Sequence, residues 1–254
     1  MFSKLLTLCL LLLGREALAD VVPTTVSSNL TLTTAGSPWH ITGNTQINTG
    51  ITLTINPGVD VIVDGNYYVL VDGCIQAPGT AVNPISITGA GGAASWRELQ
   101  FRSSGLTSSL AYVTLDEGGS HSSYGAVHIT NHTVSMNHCI IAGSGYDGFV
   151  VTTGANLNLT DCSVENTRYP INIGTSAMSL NLIGSNGLVN NTYPQIYCAL
   201  GTLSQDVQLD GNTDVAYHFP SSVTVPLGRT LSLGANVVLK MANSSYLYVH
   251  GTFA

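Results

Sequence analysis

The chain has 254 residues, of which 44% are hydrophobic and only 8% are charged, and its formal net charge is −7. Soluble proteins have on average about 25% charged residues, so Ser, Thr, Asn and Gly must cover most of this surface. The few cations form no basic cluster, which excludes nucleic acid and anionic lipid as expected partners. Long helices are not expected, because residues that favour helices are scarce.

The N-terminal segment has the features of a secretory signal peptide. Lys4 precedes an apolar run at residues 5–13, and the small residues Ala17 and Ala19 follow. The apolar run is shorter than the roughly 18 residues that span a bilayer, and the small residues form a cleavage site after Ala19. The sequence therefore predicts a secreted, extracellular or cell-surface protein with no membrane span, whose mature part begins at residue 20.

The middle of the chain repeats itself with a period of about 23 residues. SMNHCIIAGSGYDGFVV aligns without a gap on NLTDCSVENTRYPINIG, so that Cys139 falls on Cys162 and Tyr146 on Tyr169. Within LNLTDCSV, apolar residues alternate with polar ones, and the polar pair Thr160–Asp161 marks a bend between two strands. This pattern predicts an all-β chain that forms a parallel β-helix, with rungs about 4.8 Å apart. A β-sandwich is the alternative, but its strands would not repeat in ungapped register.

A second repeat relates the two ends of the chain. An offset of 178 aligns His40–Gln76 with His218–Ala254 without a gap, and eight positions are identical, including Gly73 and Gly251. We therefore expect a first cycle of the β-helix at residues 20–212 and the start of a second, truncated cycle at 213–254. An open last rung would expose a strand edge, so self-association through this end is a possible mode of assembly.

A longer stretch carries a resemblance to a known family. GITLTINPGVDVIVDGNYYVLVDGCIQAPGTAVNPISITG, followed by WRELQFRSSG and SLAYVTLDEGG, resembles secreted bacterial right-handed parallel β-helix repeat proteins of the pectin-lyase-like fold superfamily. The resemblance covers roughly Thr31 to Ala254 and implies the fold and a secreted, bacterial origin. Its members include polysaccharide lyases and hydrolases, adhesins and proteins of unknown role. The motif sets of those enzymes (Asn-Thr-Asp, Asp-Asp, Gly-His-Gly and Arg-x-Lys) do not occur together here.

The leading hypothesis is a non-catalytic β-helix that acts as a stalk, an adhesin or a glycan-contacting module. Tyrosines at turn positions beside polar side chains suit sugar binding, because rings pack on sugar faces while amides bond hydroxyls. Tyr146 is expected to stack on Tyr169. The candidate ligand-binding residues are Tyr146, Tyr169, Asp147 and Asn166. The alternative is that the tyrosines only close the ends of the hydrophobic core.

The rival hypothesis is an enzyme, either a polysaccharide lyase or an inverting glycoside hydrolase. The 23-residue frame places Asp116, Ala142 and Glu165 in one column, with the two carboxylates about 9.6 Å apart. Inverting glycosidases separate their carboxyl groups by about 6.5–9.5 Å. The candidate catalytic residues are Asp116, Glu165 and Arg168, and Ca²⁺ would be needed only by a lyase. Solvated turn residues are the alternative for both carboxylates, and the sequence predicts neither a metal site nor a cofactor.

Two further patterns concern cysteine and threonine. Cys139 and Cys162 are predicted to point inward one rung apart, either as a disulfide or as stacked thiols. Thr-x-Thr pairs at Thr31/Thr33 and Thr52/Thr54 could suggest an ice-binding surface. Because these pairs do not recur at rung spacing, the sequence argues against that function.

Overall fold

The computed structural model describes residues 20–102, 105–174, 178–211 and 214–254. The predicted signal peptide, residues 1–19, lies outside these ranges. Apart from one 3-10 turn at Thr34–Gly36, the secondary structure of the described residues is β-strand. No helix in the described ranges is long and apolar enough to cross a bilayer.

The strands are short and follow one another along the whole described chain. In chain order they are β1 (Thr25–Val26), β2 (Leu30–Leu32), β3 (Trp39–Ile41), β4 (Thr45–Ile47), β5 (Thr52–Ile55), β6 (Asp60–Val63), β7 (Val69–Val71), β8 (Cys74–Pro78), β9 (Ile85–Gly89), β10 (Leu99–Phe101), β11 (Thr107–Ala111), β12 (Val113–Asp116), β13 (Val127–Ile129), β14 (Thr133–Asn137), β15 (Ile140–Ala142), β16 (Phe149–Val151), β17 (Ala155–Thr160), β18 (Ser163–Glu165), β19 (Ile171–Ile173), β20 (Met178–Ile183), β21 (Gln195–Cys198), β22 (Val207–Leu209), β23 (Ala216–Phe219), β24 (Val223–Val225), β25 (Thr230–Leu233), β26 (Leu239–Met241), β27 (Leu247–Val249) and β28 (Thr252–Phe253).

These strands form a parallel β-helix of about ten rungs, which confirms the predicted fold class. Sheet I has the order β1-β4-β7-β10-β13-β16-β19-β21-β23-β26, and sheet II has the order β2-β5-β8-β11-β14-β17-β20-β22-β25-β28. Sheet III contains β3-β6-β9-β12-β15-β18, and sheet IV contains β24-β27. Neighbouring strands pair in parallel, and rungs of about 23 residues connect Thr133 to Asn156 and Asn156 to Ser179. The right-handed sense of the coil stays a prediction, which the strong right-handed preference of parallel crossovers supports.

Strict alternation along each strand builds one continuous apolar core. In β17, the fully buried Leu157 and Leu159 alternate with the outward-facing Asn156 and Asn158. Burying a leucine side chain stabilises a protein by about 1.5–3 kcal/mol, and every rung adds several such residues to the same cluster. The core therefore holds the rungs together, while the outward residues are free to vary.

A single residue turns the corner between sheet II and sheet III. Tyr112, His138 and Asp161 occupy this place in successive rungs, with φ angles of 48°, 52° and 51°. This left-handed conformation redirects the chain within one residue, so the inward phase is regained at once in the next strand. The bend predicted at Thr160–Asp161 is confirmed, with Thr160 still in β17 and Asp161 making the turn.

The cross-section changes towards the end of the chain. In the early rungs the chain runs from sheet II through a strand of sheet III, such as β3, to sheet I. In the last rungs it runs from sheet I through β24 or β27 of sheet IV to sheet II. As a result, the 178-residue repeat does not align equivalent sheets: His40 is in β3 of sheet III and His218 is in β23 of sheet I. The two copies share a strand template, because alternating apolar residues suit every face of the coil.

The strands of the last rungs carry exposed apolar side chains. Met241, Val249 and Phe253 are among them. Self-association through this end stays a prediction.

Candidate functional site

The predicted carboxylate column exists. Asp116 pairs with Ala142, which pairs with Glu165, at the ends of β12, β15 and β18 in sheet III. Both acidic residues are half-buried, and two rung steps separate them by about 9.6 Å. Asp116 Oδ1 accepts a hydrogen bond from the backbone N–H of Glu117 at 2.8 Å. This bond is local, so it fixes the carboxylate without tying it to Glu165.

Arg168 and Asp147 are bound to each other. Arg168 donates from Nε to Asp147 Oδ1 at 2.8 Å and from Nη2 to Oδ2 at 2.9 Å. Asp147 is only 1% exposed, and it also accepts from Asn172 Nδ2 at 2.8 Å and from the backbone N–H of Tyr169 at 3.3 Å. Such a buried, fully bonded carboxylate holds two turns together, and it cannot also reach a ligand in solution.

The same pairing bears on the proposed catalytic role of Arg168. The hydrogen bond to Asp147 raises the pKa of Arg168 above its ordinary value. A guanidinium is already protonated at all physiological pH values, and a raised pKa makes proton abstraction harder still. The geometry thus gives Arg168 a positioning role in its turn.

The aromatic residues are arranged differently from the prediction. The Arg168 guanidinium carbon lies 5.7 Å from the ring centroid of Tyr146 and 5.4 Å from that of Tyr169. Tyr169 stacks on Tyr193 at 4.9 Å and contacts Tyr197 at 4.9 Å. The predicted stacking of Tyr146 on Tyr169 is therefore wrong, because Asp147 holds the guanidinium where it packs against both rings. We call this group the turn cluster, and it consists of Tyr146, Asp147, Arg168, Tyr169, Tyr193 and Tyr197.

A polar depression adjoins the turn cluster. Its lining includes Glu165, Asn166, Asn190 and Thr192. Asn166 is exposed and has a left-handed φ of 55°, at the point where β18 ends. Amide, hydroxyl and carboxylate groups therefore surround an open surface whose lining ends at Thr192, the residue before Tyr193.

One half-buried asparagine, Asn191, ties the two turns around this depression. Asn191 accepts from Thr167 Oγ1 at 2.8 Å and donates to the carbonyls of Val164 and Leu188 at 2.7 and 2.8 Å. The backbone N–H of Tyr193 donates to the carbonyl of Arg168 at 2.8 Å. These bonds fix the position of Tyr193 relative to Tyr169, so the aromatic surface is preformed.

Two histidines close in sequence do not share a face. His128 lies outward on sheet I, accepts from Gln100 Nε2 at 3.0 Å and stacks on Tyr124, whereas His132 lies in the core against Ser108 Oγ at 2.9 Å. Burial lowers the pKa of His128 to about 4. Among the described residues, no group of three His, Cys, Asp or Glu side chains could hold a metal ion.

Cys139 and Cys162 lie one rung apart in the core, as the alignment predicts. Both are free thiols, and the Cys139 backbone N–H points at Cys162 Sγ, 3.4 Å away. The hydrogen bond between the thiols, together with burial, raises the pKa of Cys162. The structure thus holds a stacked thiol pair that is close enough for a disulfide to form.

Sequence reasoning missed the partners that organise the turn cluster. Tyr197 could have been found, because Ile196 and Cys198 alternate with it in β21 and point inward, leaving Tyr197 on the outer face. Asn172 could have been placed in the same way, one rung earlier in the same column. Asn191 carries no such signal, since nothing in a turn sequence shows which asparagine bonds the neighbouring rung.

Comparisons with protein-family models, with curated proteins and with solved structures found no match for this chain. What is shown is the all-β parallel β-helix, and any function has to be argued from its surface.

Proposed function

We propose that this chain is a secreted or cell-surface β-helix that contacts glycans through the turn cluster and does not catalyse a reaction. The observation that carries the proposal is the stack of Tyr193 on Tyr169 beside an amide-lined depression. Tyr193 is 48% exposed, so its ring can meet a ligand. In an extended β-helix of this kind, the same module would serve as an adhesin or as part of a surface stalk.

The chemistry of the surface fits a sugar. A tyrosine ring packs against the C–H face of a pyranose, and nearby amides and hydroxyls bond the sugar hydroxyls. Asn166, Asn190 and Thr192 supply such groups on the side of the depression. Asp147 ties its turn to that of Arg168, and Asn191 ties the turn at Thr167 to its own. Binding therefore needs little ordering of the protein, which favours affinity.

The resemblance to the pectin-lyase-like superfamily supports the same conclusion from another direction. Its members include adhesins and proteins that act on polysaccharides, and their secreted, bacterial setting would bring this chain into contact with glycans. The predicted signal peptide at residues 1–19 agrees with this setting.

A polysaccharide-degrading enzyme is the second candidate, and the column of Asp116 and Glu165 favours it. About 9.6 Å between two carboxylates would leave room for the water of an inverting hydrolase. A lyase that uses Arg168 as its base fits less well, because Asp147 engages that side chain.

A glycan array tests the proposal. The purified wild type, Tyr193→Ala and a control, Tyr248→Ala, would be compared; Tyr248 is 49% exposed in β27, away from the turn cluster. We expect binding that is lost in Tyr193→Ala and kept in Tyr248→Ala. Loss of binding in both variants, or no binding by the wild type, would refute the proposal.

An activity screen separates the two candidates. The wild type and Glu165→Gln would be incubated with neutral and acidic polysaccharides, with and without Ca²⁺. Release of reducing or unsaturated ends by the wild type, lost in Glu165→Gln, would make the chain an enzyme. Binding without release of either product is what the glycan-contacting function predicts.

A further inference from the structure

The strands of sheet II differ from those of sheets I and III because they contain no charged residue. None of the strands of sheet II contains Asp, Glu, Lys, Arg or His. Sheet III, by contrast, presents Asp60, Asp116 and Glu165, and sheet I presents His128 and Lys240. In a chain with a net charge of −7, the seven strands from β2 to β20 thus form a neutral face. Carboxylates appear at the next strand, β22, where Asp210 Oδ1 accepts from Gln208 Nε2 at 3.0 Å.

Small polar side chains form a regular array on this neutral face. One outward column is continuous over seven rungs and consists of Thr31, Thr54, Gln76, Ser109, Ser135, Asn158 and Asn181. A second column lies two residues away and includes Thr107, Thr133, Asn156 and Ser179. All of these residues are half-buried or exposed. We call the two columns the polar lattice.

The sequence hides this array because the rungs differ in length. The segment between β9 and β10 and the segment between β12 and β13 are longer than the corresponding connections in later rungs. Hydroxyl and amide pairs therefore recur at unequal sequence intervals, although the register places them one above another. The sequence-based argument against an ice-binding surface looked for equal intervals of Thr-x-Thr and could not detect this alignment.

Side-chain hydrogen bonds hold the polar lattice in order. Asn156 Nδ2 donates to Thr133 Oγ1 at 3.2 Å, and Asn158 Nδ2 donates to Ser135 Oγ at 3.0 Å. Bonds of this kind run from one rung to the next, and side-chain ladders help a sheet to stay flat. The lattice is therefore a preformed array of donors and acceptors.

The spacing of the polar lattice resembles the spacing of oxygens in ice. Rungs repeat at about 4.8 Å along the helix axis. In a tetrahedral network of water with bonds of about 2.75 Å, next-nearest oxygens are about 4.5 Å apart. The mismatch of about 0.3 Å per rung adds up to less than half a rung over the seven-residue column, so rotation of the hydroxyl and amide groups can absorb it.

We propose that the polar lattice on sheet II binds the surface of ice crystals. Ordered water between the hydroxyl and amide groups would join the crystal, since bridging waters bond almost as well as direct partners. A charge on this face would oppose binding, because it would have to give up its own hydration. The lattice lies on a different sheet from the turn cluster, so this proposal does not depend on the proposed glycan function.

The test is an ice-recrystallisation assay with the full chain and two variants of the same rung. Ser109→Lys puts a cation at the centre of the polar lattice, whereas Thr114→Lys puts it on the outer face of sheet III. Circular dichroism and urea unfolding would show that both variants keep the fold. We expect the wild type and Thr114→Lys to slow crystal growth and to partition into ice, and Ser109→Lys to lose both effects.

Several results would overturn the proposal. One is ice growth in the presence of the wild type at the same rate as in buffer alone. Another is an equal loss of the effect on ice in Ser109→Lys and Thr114→Lys. In a third, the wild type adsorbs to insoluble cellulose but does not affect ice growth, and Ser109→Lys abolishes the adsorption. That result would assign the lattice to a neutral glycan instead. Tyr193→Ala serves as an independent control and should leave the effect on ice unchanged.

Discussion

His128 should make the stability of the β-helix depend on pH in a way that a single substitution removes. The side chain is 8% exposed and contacts Gln100, Thr130, Thr152 and Tyr124, which are all uncharged. Burial lowers its pKa from 6.5 to about 4 in the folded protein, whereas the unfolded chain keeps a value of about 6.5.

The sign of the effect follows from the two pKa values. Above pH 6.5 the imidazole is neutral in both states and adds nothing. As the pH falls from 6.5 towards 4, the unfolded chain binds the proton first, so the free energy of unfolding decreases. Below about pH 4 both states are protonated and the loss is complete. The difference between the two pKa values corresponds to about 3 kcal/mol in total, of which about 2.5 kcal/mol is lost between pH 7.5 and 4.5.

Urea unfolding at pH 7.5 and 4.5 measures this loss. His128→Gln can keep a hydrogen bond to Gln100 and has no proton to gain, so its stability should fall by about 2.5 kcal/mol less than that of the wild type over the same interval. His250→Gln is the control, because His250 is exposed and should keep the wild-type pH dependence. Equal pH dependence in the wild type and His128→Gln would refute the reasoning, as would an NMR titration that places the His128 pKa near 6.5.

Two other predictions concern buried side chains, the carboxylate of Asp147 and the thiols of Cys139 and Cys162. Asp147→Ala should lower the free energy of unfolding by about 2–3 kcal/mol, because it leaves Asn172 and the N–H of Tyr169 without their acceptor. The control, Asp116→Ala, should change the free energy of unfolding by less than about 0.5 kcal/mol. Similar losses in both variants would contradict the role given to Asp147. Refolding with glutathione disulfide should oxidise Cys139 and Cys162 to a disulfide, reduce the glutathione to two thiols and stabilise the fold by about 3 kcal/mol. Titration of the denatured protein should then find these two thiols missing, and a full set of titratable thiols would show that the pair stays reduced.

Much of the fold could be predicted from the sequence, because a β-helix repeats one local rule. Alternation of apolar residues and a 23-residue period were enough to place Asp116, Ala142 and Glu165 in one column and Cys139 beside Cys162. Both predictions depend only on backbone register, which the buried residues fix. The bend at Asp161 was found for the same reason, since the inward phase has to be kept around the corner.

The candidate site was harder to predict, because it depends on side chains that reach between turns. Tyr146 and Tyr169 occupy equivalent positions, yet Arg168 packs against both rings because Asp147 binds its guanidinium. Likewise, the 178-residue repeat gave the right strand template but aligned His40 with a strand of another sheet. The sequence shows which residues point outward, and the contacts between outward residues need the structure.

The most direct test of the glycan-contacting function is a hydrogen-exchange footprint of the chain with and without a glycan that it binds. The account predicts slower exchange in residues 165–169 and 190–197, which carry the depression and the stacked rings of Tyr169 and Tyr193. Exchange elsewhere, including the strands of sheet II, should not change. Protection confined to other parts of the β-helix, with these two turns unaffected, would contradict the account.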